Sequence, residues 1–89
     1  MSADVDAVLA ERGERYGPFL KHAEVSQRLK SVLWQSNYQS MECDQIEALE
    51  MICHKIARIL NGDPNYADSW VDIAGYAKLV ADRLESRRG

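Results

Sequence analysis

The stretch from residue 51 to residue 84 constrains the fold of this chain more than any other feature, because it reads as two helices joined by one short turn. Its sequence is MICHKIARILNGDPNYADSWVDIAGYAKLVADRL. Apolar residues recur every three or four positions on both sides of Asn61-Gly62-Asp63-Pro64. Glycine and proline between two such runs end one helix and allow the next to begin. An antiparallel helical hairpin is therefore predicted.

Two shorter helices are predicted before the hairpin. In the first, Val5, Val8 and Leu9 recur at helical spacing, and the helix is expected to end near Gly13. The second is expected over about residues 19–35. The segment between them has two glycines and a proline within six positions, which is typical of a loop.

The third helix is expected over about residues 42–61, with one broad apolar face in the core. The opposite side carries Glu47, Glu50, His54 and Arg58. Neighbours four apart on a helix pair with one another. These four residues are therefore interpreted as a solvated stripe.

The fourth helix is expected to continue to about Glu85 and to pack on the third through one apolar face. That predicted face consists of Trp70, Ile73, Ala74, Ala77, Val80, Ala81 and Leu84. Gly75 lies on the reverse side, where a glycine costs roughly 1 kcal/mol against alanine, so close approach of a ligand or another chain is expected there. The chain is thus predicted to be one all-α domain over residues 1–89, a small four-helix domain with a long C-terminal antiparallel helical hairpin.

The charge, hydrophobicity and length of the chain limit the functions that it can have. The net charge of -3 and the pI of about 5.3 provide no basic field for nucleic-acid phosphates, so direct nucleic-acid binding is disfavoured. No apolar run approaches the roughly 20 residues of a membrane span, and a cytoplasmic protein is expected. A chain of this size buries only roughly 60% of its unfolded surface, so a homo-oligomer is expected. Cys43 and Cys53 lie too far apart on one helix to form a disulfide and are expected to be free thiols.

Basic and aromatic residues suggest how the chain would hold a ligand. Arginine and lysine bind the phosphates of a nucleotide, and aromatic rings stack on its base. Arg12, Arg15, Lys55 and Arg58 are the candidates for the phosphates. Tyr16, Tyr66 and Trp70 are the candidates for the base. The same lysine and arginine of the hairpin would alternatively neutralise Asp68 and Asp72 in a purely structural role.

Two segments, ERGERYGPF and KIARILNGDPNYADSWVDIAGYAKLVADRL, resemble a family of small phage and prophage proteins of unknown function, and more distantly the nucleotide-modification-associated domain. The matching positions are Arg12, Tyr16, Gly17, Lys55, Arg58, Asn61, Gly62, Asp68, Trp70, Asp72, Gly75 and Tyr76. The resemblance implies a phage-encoded, non-catalytic accessory protein in the cytoplasm of a bacterial host. Its partner would be a host defence complex, inhibited as anti-CRISPR proteins inhibit theirs, or a nucleotide that it sequesters.

A remoter resemblance is to MazG-like nucleotide pyrophosphohydrolases, which hold Mg²⁺ with acidic pairs on the two helices of a hairpin. Glu47-x-x-Glu50 and Asp68-x-x-x-Asp72 imitate that layout, with the oxygen ligands that Mg²⁺ requires. The double glutamate of that family is absent, the aspartate spacing is four instead of three, and both pairs are expected to point away from the interface between their helices. Metal-dependent hydrolysis is therefore the alternative function, and no catalytic residue, metal ligand or cofactor is assigned.

The predicted ligand-binding residues combine the basic and aromatic candidates with the acidic side of the fourth helix. They are Arg12, Arg15, Tyr16, Lys55, Arg58, Asp68, Trp70, Asp72 and Tyr76. If the partner is a protein, the expected contact surface is an acidic or apolar patch that contains Asp68, Asp72, Tyr76 and Leu79.

Overall fold

The computed structural model describes residues 2–88, with side chains described over 4–87. Four α-helices follow one another: α1 (Ser2–Tyr16), α2 (Phe19–Trp34), α3 (Cys43–Asn61) and α4 (Ala67–Arg88). A short 3₁₀ turn over Tyr38–Ser40 lies between α2 and α3. No β-strand occurs within residues 2–88. The predicted all-α class with four helices is confirmed.

Helix α1 is longer than predicted. It passes through Gly13 and ends at Tyr16, so Arg12, Arg15 and Tyr16 are helical, and the prediction of a loop there was wrong. Glycine weakens a helix without ending it when its neighbours are good helix formers. The turn is confined to the next two residues, where Gly17 has φ +80°.

Two glycines bring this turn into direct contact with the end of α3. A Cβ atom on Gly17 would lie 2.2 Å from the backbone oxygen of Asn61, and a Cβ on Gly62 would lie 2.1 Å from the backbone oxygen of Arg15. The φ of Gly62 is -127°, so this residue does not adopt the left-handed conformation in which glycine commonly follows a helix. Glycine is required at position 62 because the two backbones approach each other so closely that no Cβ fits between them.

The side chain of Asn61 reinforces the same contact. Its Nδ2 donates hydrogen bonds to the backbone oxygens of Tyr16 and Pro18, both at 3.0 Å. The backbone N–H of Asp63 donates to the backbone oxygen of Arg15 at 2.6 Å. The ends of α1 and α3 and the start of α2 are thereby fixed to one another.

Helix α4 turns a different face to α3 from the one predicted. Its buried and half-buried positions recur at helical spacing and are Ser69, Asp72, Ile73, Tyr76, Val80 and Arg83. Of the predicted face, only Ile73 and Val80 lie there. Trp70, Ala74, Ala77, Ala81 and Leu84 are exposed, so their assignment to the α3 interface was wrong.

Ion pairs explain the orientation of α4. Lys55 Nζ lies 3.0 Å from Asp72 Oδ2, and Arg83 forms a bidentate pair with Asp44. Because each pair joins α3 to α4, the polar side of α4 must face α3. The expectation that Asp72 points away from this interface was therefore also wrong.

The predicted solvated stripe of α3 faces its neighbours as well. Trp34 Nε1 of α2 donates to Glu50 Oε2 at 3.2 Å, and His54 meets a histidine of α2. Arg58 lies against Tyr16 of α1, and only Glu47 is exposed. α3 is thus the central helix, packed mainly on α4 and α2.

Few apolar side chains are deeply buried. Within the described side chains, the buried apolar residues are Ala48, Cys53 and Ala57. The buried polar residues are His22, Ser26, Lys55 and Ser69. Both cysteines are free thiols, as predicted, with Cys43 exposed and Cys53 buried. None of the helices within residues 2–88 is long and apolar enough to cross a bilayer.

Replacing Gly17 by alanine is expected to lower the free energy of unfolding by about 2 kcal/mol or more, because the new Cβ would collide with Asn61 and φ +80° is unfavourable for alanine. Gly13→Ala is the matched control. A Cβ at Gly13 meets nothing within 4 Å, so alanine should stabilise its helix by roughly 0.5–1 kcal/mol. Urea unfolding followed by circular dichroism measures both changes, and similar effects of the two would contradict the close contact.

Candidate functional site

A cavity of about 480 Å³ opens where α1, α2 and α3 meet at the Gly17 turn. Its size lies within the range of small-molecule sites, and its wall is mainly apolar. The residues that supply its aromatic and polar groups are Arg12, Tyr16, Phe19, His22, His54 and Arg58, and this cavity is called the corner pocket below.

Two arginines of the corner pocket carry positive charge that none of the described carboxylates neutralises. The Arg58 guanidinium lies over the Tyr16 ring, 4.1 Å from its centroid. Neither Arg58 nor Arg12 has an ion-pair partner within the described side chains, whereas Arg15, one turn from Arg12, pairs with Glu11 at 3.0 Å. The pocket therefore offers two guanidinium groups to an incoming anion.

A pair of histidines forms the floor of the corner pocket. His22 Nε2 and His54 Nδ1 lie 3.3 Å apart and share a hydrogen bond, with the rings edge to face. His22 is 5% exposed, and its Nδ1 is buried with no hydrogen-bond partner in the described part of the chain. Burial, followed by the charge of Arg58, lowers the pKa of His54 to about 4 and also lowers the pKa of His22. Both rings are thus neutral at pH 7.

A hydrogen-bond network beside the pocket engages two other predicted residues. Arg15 donates to the hydroxyl of Tyr66, which in turn donates to Asp68 Oδ2 at 2.9 Å. The hydrogen bond to Asp68 raises the pKa of Tyr66 above its usual value. Arg15 and Asp68 therefore hold the α3–α4 turn against α1.

The remaining predicted residues lie on α4, or on α3 where it faces α4, and belong to a different region. Asp72 and Tyr76 line a shallow, open groove of about 620 Å³ on α4, together with Gly75. The Lys55 ammonium is buried and pairs with Asp72. Trp70 Nε1 donates to the backbone oxygen of Pro64 at 2.9 Å. The structure thus brings only Arg12, Tyr16 and Arg58 of the predicted set into the corner pocket.

The two acidic pairs of the hairpin do not converge. Asp72 lies level with Lys55, which is five residues, or about 7.5 Å of helix, beyond Glu50. Glu50 faces α2, whereas Asp72 faces α3. Within the described residues, no group of three or more His, Cys, Asp or Glu side chains could hold a metal ion.

The sequence pattern did not identify His22, His54 and Phe19 as site residues. His54 lies four residues from Glu50 and from Arg58, and this spacing was interpreted as a solvated face. His22 is 32 residues away from its partner in sequence. No local pattern signals a contact between two helices, so neither histidine could be assigned without the tertiary structure.

Residues 1–84 match the family model of DUF6378, a domain of unknown function. The chain belongs to this family. The DUF6378 match extends from α1 to Leu84 in α4 and includes every residue of the corner pocket. No curated protein and no solved structure gives a significant match. The family description links DUF6378 neither to phages nor to MazG-like enzymes.

Acidification is expected to destabilise the protein through the histidine pair. The folded pKa of His54, about 4, lies below the roughly 6.5 of the unfolded chain, so the unfolded state takes up the proton first. The stability due to neutral His54 is present above about pH 6.5 and is lost as the pH falls towards 4. The loss is of the order of 2–3 kcal/mol, and His22 acts in the same direction.

The measurement is the free energy of unfolding from pH 7 to pH 4, with His54→Asn as the comparison. The positively charged groups that lower the pKa of both histidines are Arg58, Lys55 and Lys30. The variant should therefore show a shallower dependence on pH, whatever its stability at pH 7. Equal slopes for the two proteins would show that the pair does not titrate as described.

Proposed function

We propose that the protein binds a phosphate-bearing nucleotide in the corner pocket and releases it chemically unchanged. The observation that supports this proposal is the pair of guanidinium groups, Arg12 and Arg58. They have no carboxylate partner among the described side chains and line the same pocket as Tyr16 and Phe19. Positive charge next to aromatic surface matches the two parts of a nucleotide, a phosphate and a base.

The two arginines would bind the phosphate. A guanidinium donates two parallel hydrogen bonds to phosphate oxygens, which gives both strength and orientation. Arg58 is half-buried and held against the Tyr16 ring, so less side-chain freedom is lost when it binds. Arg12 is exposed at the rim and would close on the phosphate from α1.

The aromatic wall would hold the base. Phe19 is 79% exposed, which is unusual for phenylalanine and leaves a ring face open to stacking. His54 would contribute a hydrogen bond to the ligand without charge, because its ring is neutral at pH 7. Base stacking is worth roughly 1–3 kcal/mol per base.

The arrangement of the acidic residues favours binding over hydrolysis. In a MazG-like enzyme, carboxylates on both helices of a hairpin would share a divalent cation. Here the Lys55 ammonium takes the position beside Asp72 that such a cation would need, and Trp34 donates to Glu50. A cation would have to displace a buried lysine, which leaves an unpaired charge inside the protein.

Sequestration of a nucleotide signal used in host defence would connect this binding with the predicted accessory role. The alternative partner, a host protein, was expected to meet a patch containing Asp68 and Asp72. Asp68 instead accepts a hydrogen bond from Tyr66, and Asp72 pairs with Lys55. The small-molecule ligand is therefore the better supported of the two.

Isothermal titration calorimetry with nucleoside mono-, di- and triphosphates and cyclic dinucleotides tests the proposal. Arg12→Gln and Arg58→Gln should each weaken binding by roughly 10–100-fold, since one charge-assisted hydrogen-bonding group is worth about 1.5–3 kcal/mol. Arg28→Gln is the matched control, because Arg28 is exposed on α2 and lies outside the corner pocket. Its affinity should equal that of the unchanged protein.

Two results would contradict the proposal. One is the absence of binding to every nucleotide tested, or a loss of affinity as large for Arg28→Gln as for the pocket variants. The other is release of phosphate or pyrophosphate in the presence of Mg²⁺ that disappears in Asp72→Asn. That second result would establish the hydrolase alternative.

A further inference from the structure

The apolar interior of this chain is incomplete on one side. No large side chain among those described is fully buried, and the buried apolar residues are two alanines and a cysteine. Yet 46% of the residues are hydrophobic. Large apolar side chains therefore lie at the surface, where each loses the free energy that burial would provide.

Two stripes of apolar residues, one half-buried and one exposed, run along α3 and α4. On α3, half-buried residues recur at helical spacing at Leu49, Ile52, Ile56 and Ile59. On α4, exposed residues recur at Trp70, Ala74, Ala77, Ala81 and Leu84. The two stripes together are called the open face.

Both stripes lie on the same side of the α3–α4 pair. The ion pairs Lys55–Asp72 and Asp44–Arg83 run along one edge of the interface between the two helices. Each residue turns an α-helix by 100°, and two antiparallel helices viewed from one end turn in opposite directions. The α3 stripe and the α4 stripe therefore both lie on the edge of the interface away from these ion pairs. The two stripes of the open face thus adjoin each other, and no charged residue among the described side chains belongs to them.

The solvent-accessible surface area of the chain is larger than expected for a folded monomer of its mass. The chain exposes 6452 Å². A folded monomer of 10.1 kDa is expected to expose about 5,300 Å², so this chain exposes roughly 1,200 Å² more. The radius of gyration, 15.4 Å, likewise exceeds the roughly 12 Å of a compact chain of this length. A stable protein interface buries roughly 800 Å² per partner, so the excess over the whole surface is large enough to contain one such interface.

We propose that a second copy of this chain covers the open face, with the two α4 helices antiparallel and Ala77 near the two-fold axis. A two-fold interface requires a surface complementary to itself. Along α4 the order of side-chain size is the same from either end: one large residue, three alanines, one large residue. In the antiparallel arrangement Trp70 of each copy packs beside Leu84 of the other.

The alanines and the position of the charges fit this arrangement. Alanine at the three central positions allows two helices to approach closely. Each copy has a net charge of -3, but the described charged side chains lie outside the two stripes of the open face, so pairing through those stripes does not bury them. The dimer would have a core formed by α3 and α4 of both copies, in place of the incomplete interior of one.

Analytical ultracentrifugation of the whole protein at micromolar concentration tests the proposal. The unchanged protein should sediment with twice the mass of one 10.1 kDa chain. Ala77→Glu should weaken the dimer by about 100-fold or more, because two carboxylates would be buried together at the axis. Glutamate favours helix, and residue 77 is exposed in one chain, so circular dichroism should show an unchanged fold.

Leu79→Glu is the matched control on the same helix. Leu79 is 69% exposed and lines the groove on the other side of α4, so this variant should remain a dimer. A monomeric unchanged protein overturns the proposal, and so does a dimer that Leu79→Glu dissociates while Ala77→Glu does not. The measurement needs no nucleotide, so its outcome is independent of the function proposed above.

A cross-linking experiment keeps the test decisive if Ala77→Glu fails to fold. In a Cys43→Ser background, which removes the exposed thiol, Ala77→Cys should be joined to a second copy by a short bismaleimide. Leu79→Cys in the same background should give little product. Equal cross-linking at the two positions would overturn the placement of Ala77 at the axis.

Discussion

The close contact between the Gly17 turn and the end of α3 is the constraint on which the rest of the structure depends. Gly17 and Gly62 let two backbones approach to distances that no Cβ would allow, and Asn61 bridges them with two hydrogen bonds. This contact fixes the positions of the end of α1 and the start of α2 relative to the end of α3. The position of Tyr16 over Arg58, and with it the corner pocket, follows from that geometry.

Polar contacts then decide which face each helix turns to α3. His22 meets His54 across the α2 interface, and Lys55 meets Asp72 across the α4 interface. A buried charge or imidazole without a partner would cost several kcal/mol, so these contacts hold the helices in one rotation. The consequence is that apolar side chains which could have filled those interfaces lie on the open face instead.

The two proposed surfaces use opposite sides of α3. His54 and Arg58 point into the corner pocket, while Ile52, Ile56 and Ile59 belong to the open face. A second copy on the open face would therefore leave the pocket accessible to a ligand. Binding of a second copy would also raise the free energy of unfolding of each chain. The corner pocket would be stabilised with it, because α3 contributes both to the floor of the pocket and to the core.

The sequence by itself determined the all-α class, the four helices and the approximate ends of the hairpin, because these follow from local periodicity and from glycine and proline. It also identified Arg12, Tyr16 and Arg58 as binding candidates. The tertiary structure alone decided the rotation of α4 and the partners of His54. Hydrophobic periodicity shows that a segment is helical. Which side of that helix packs against a neighbouring helix also depends on buried polar pairs. Those pairs join residues far apart in the chain, so no local pattern reveals them.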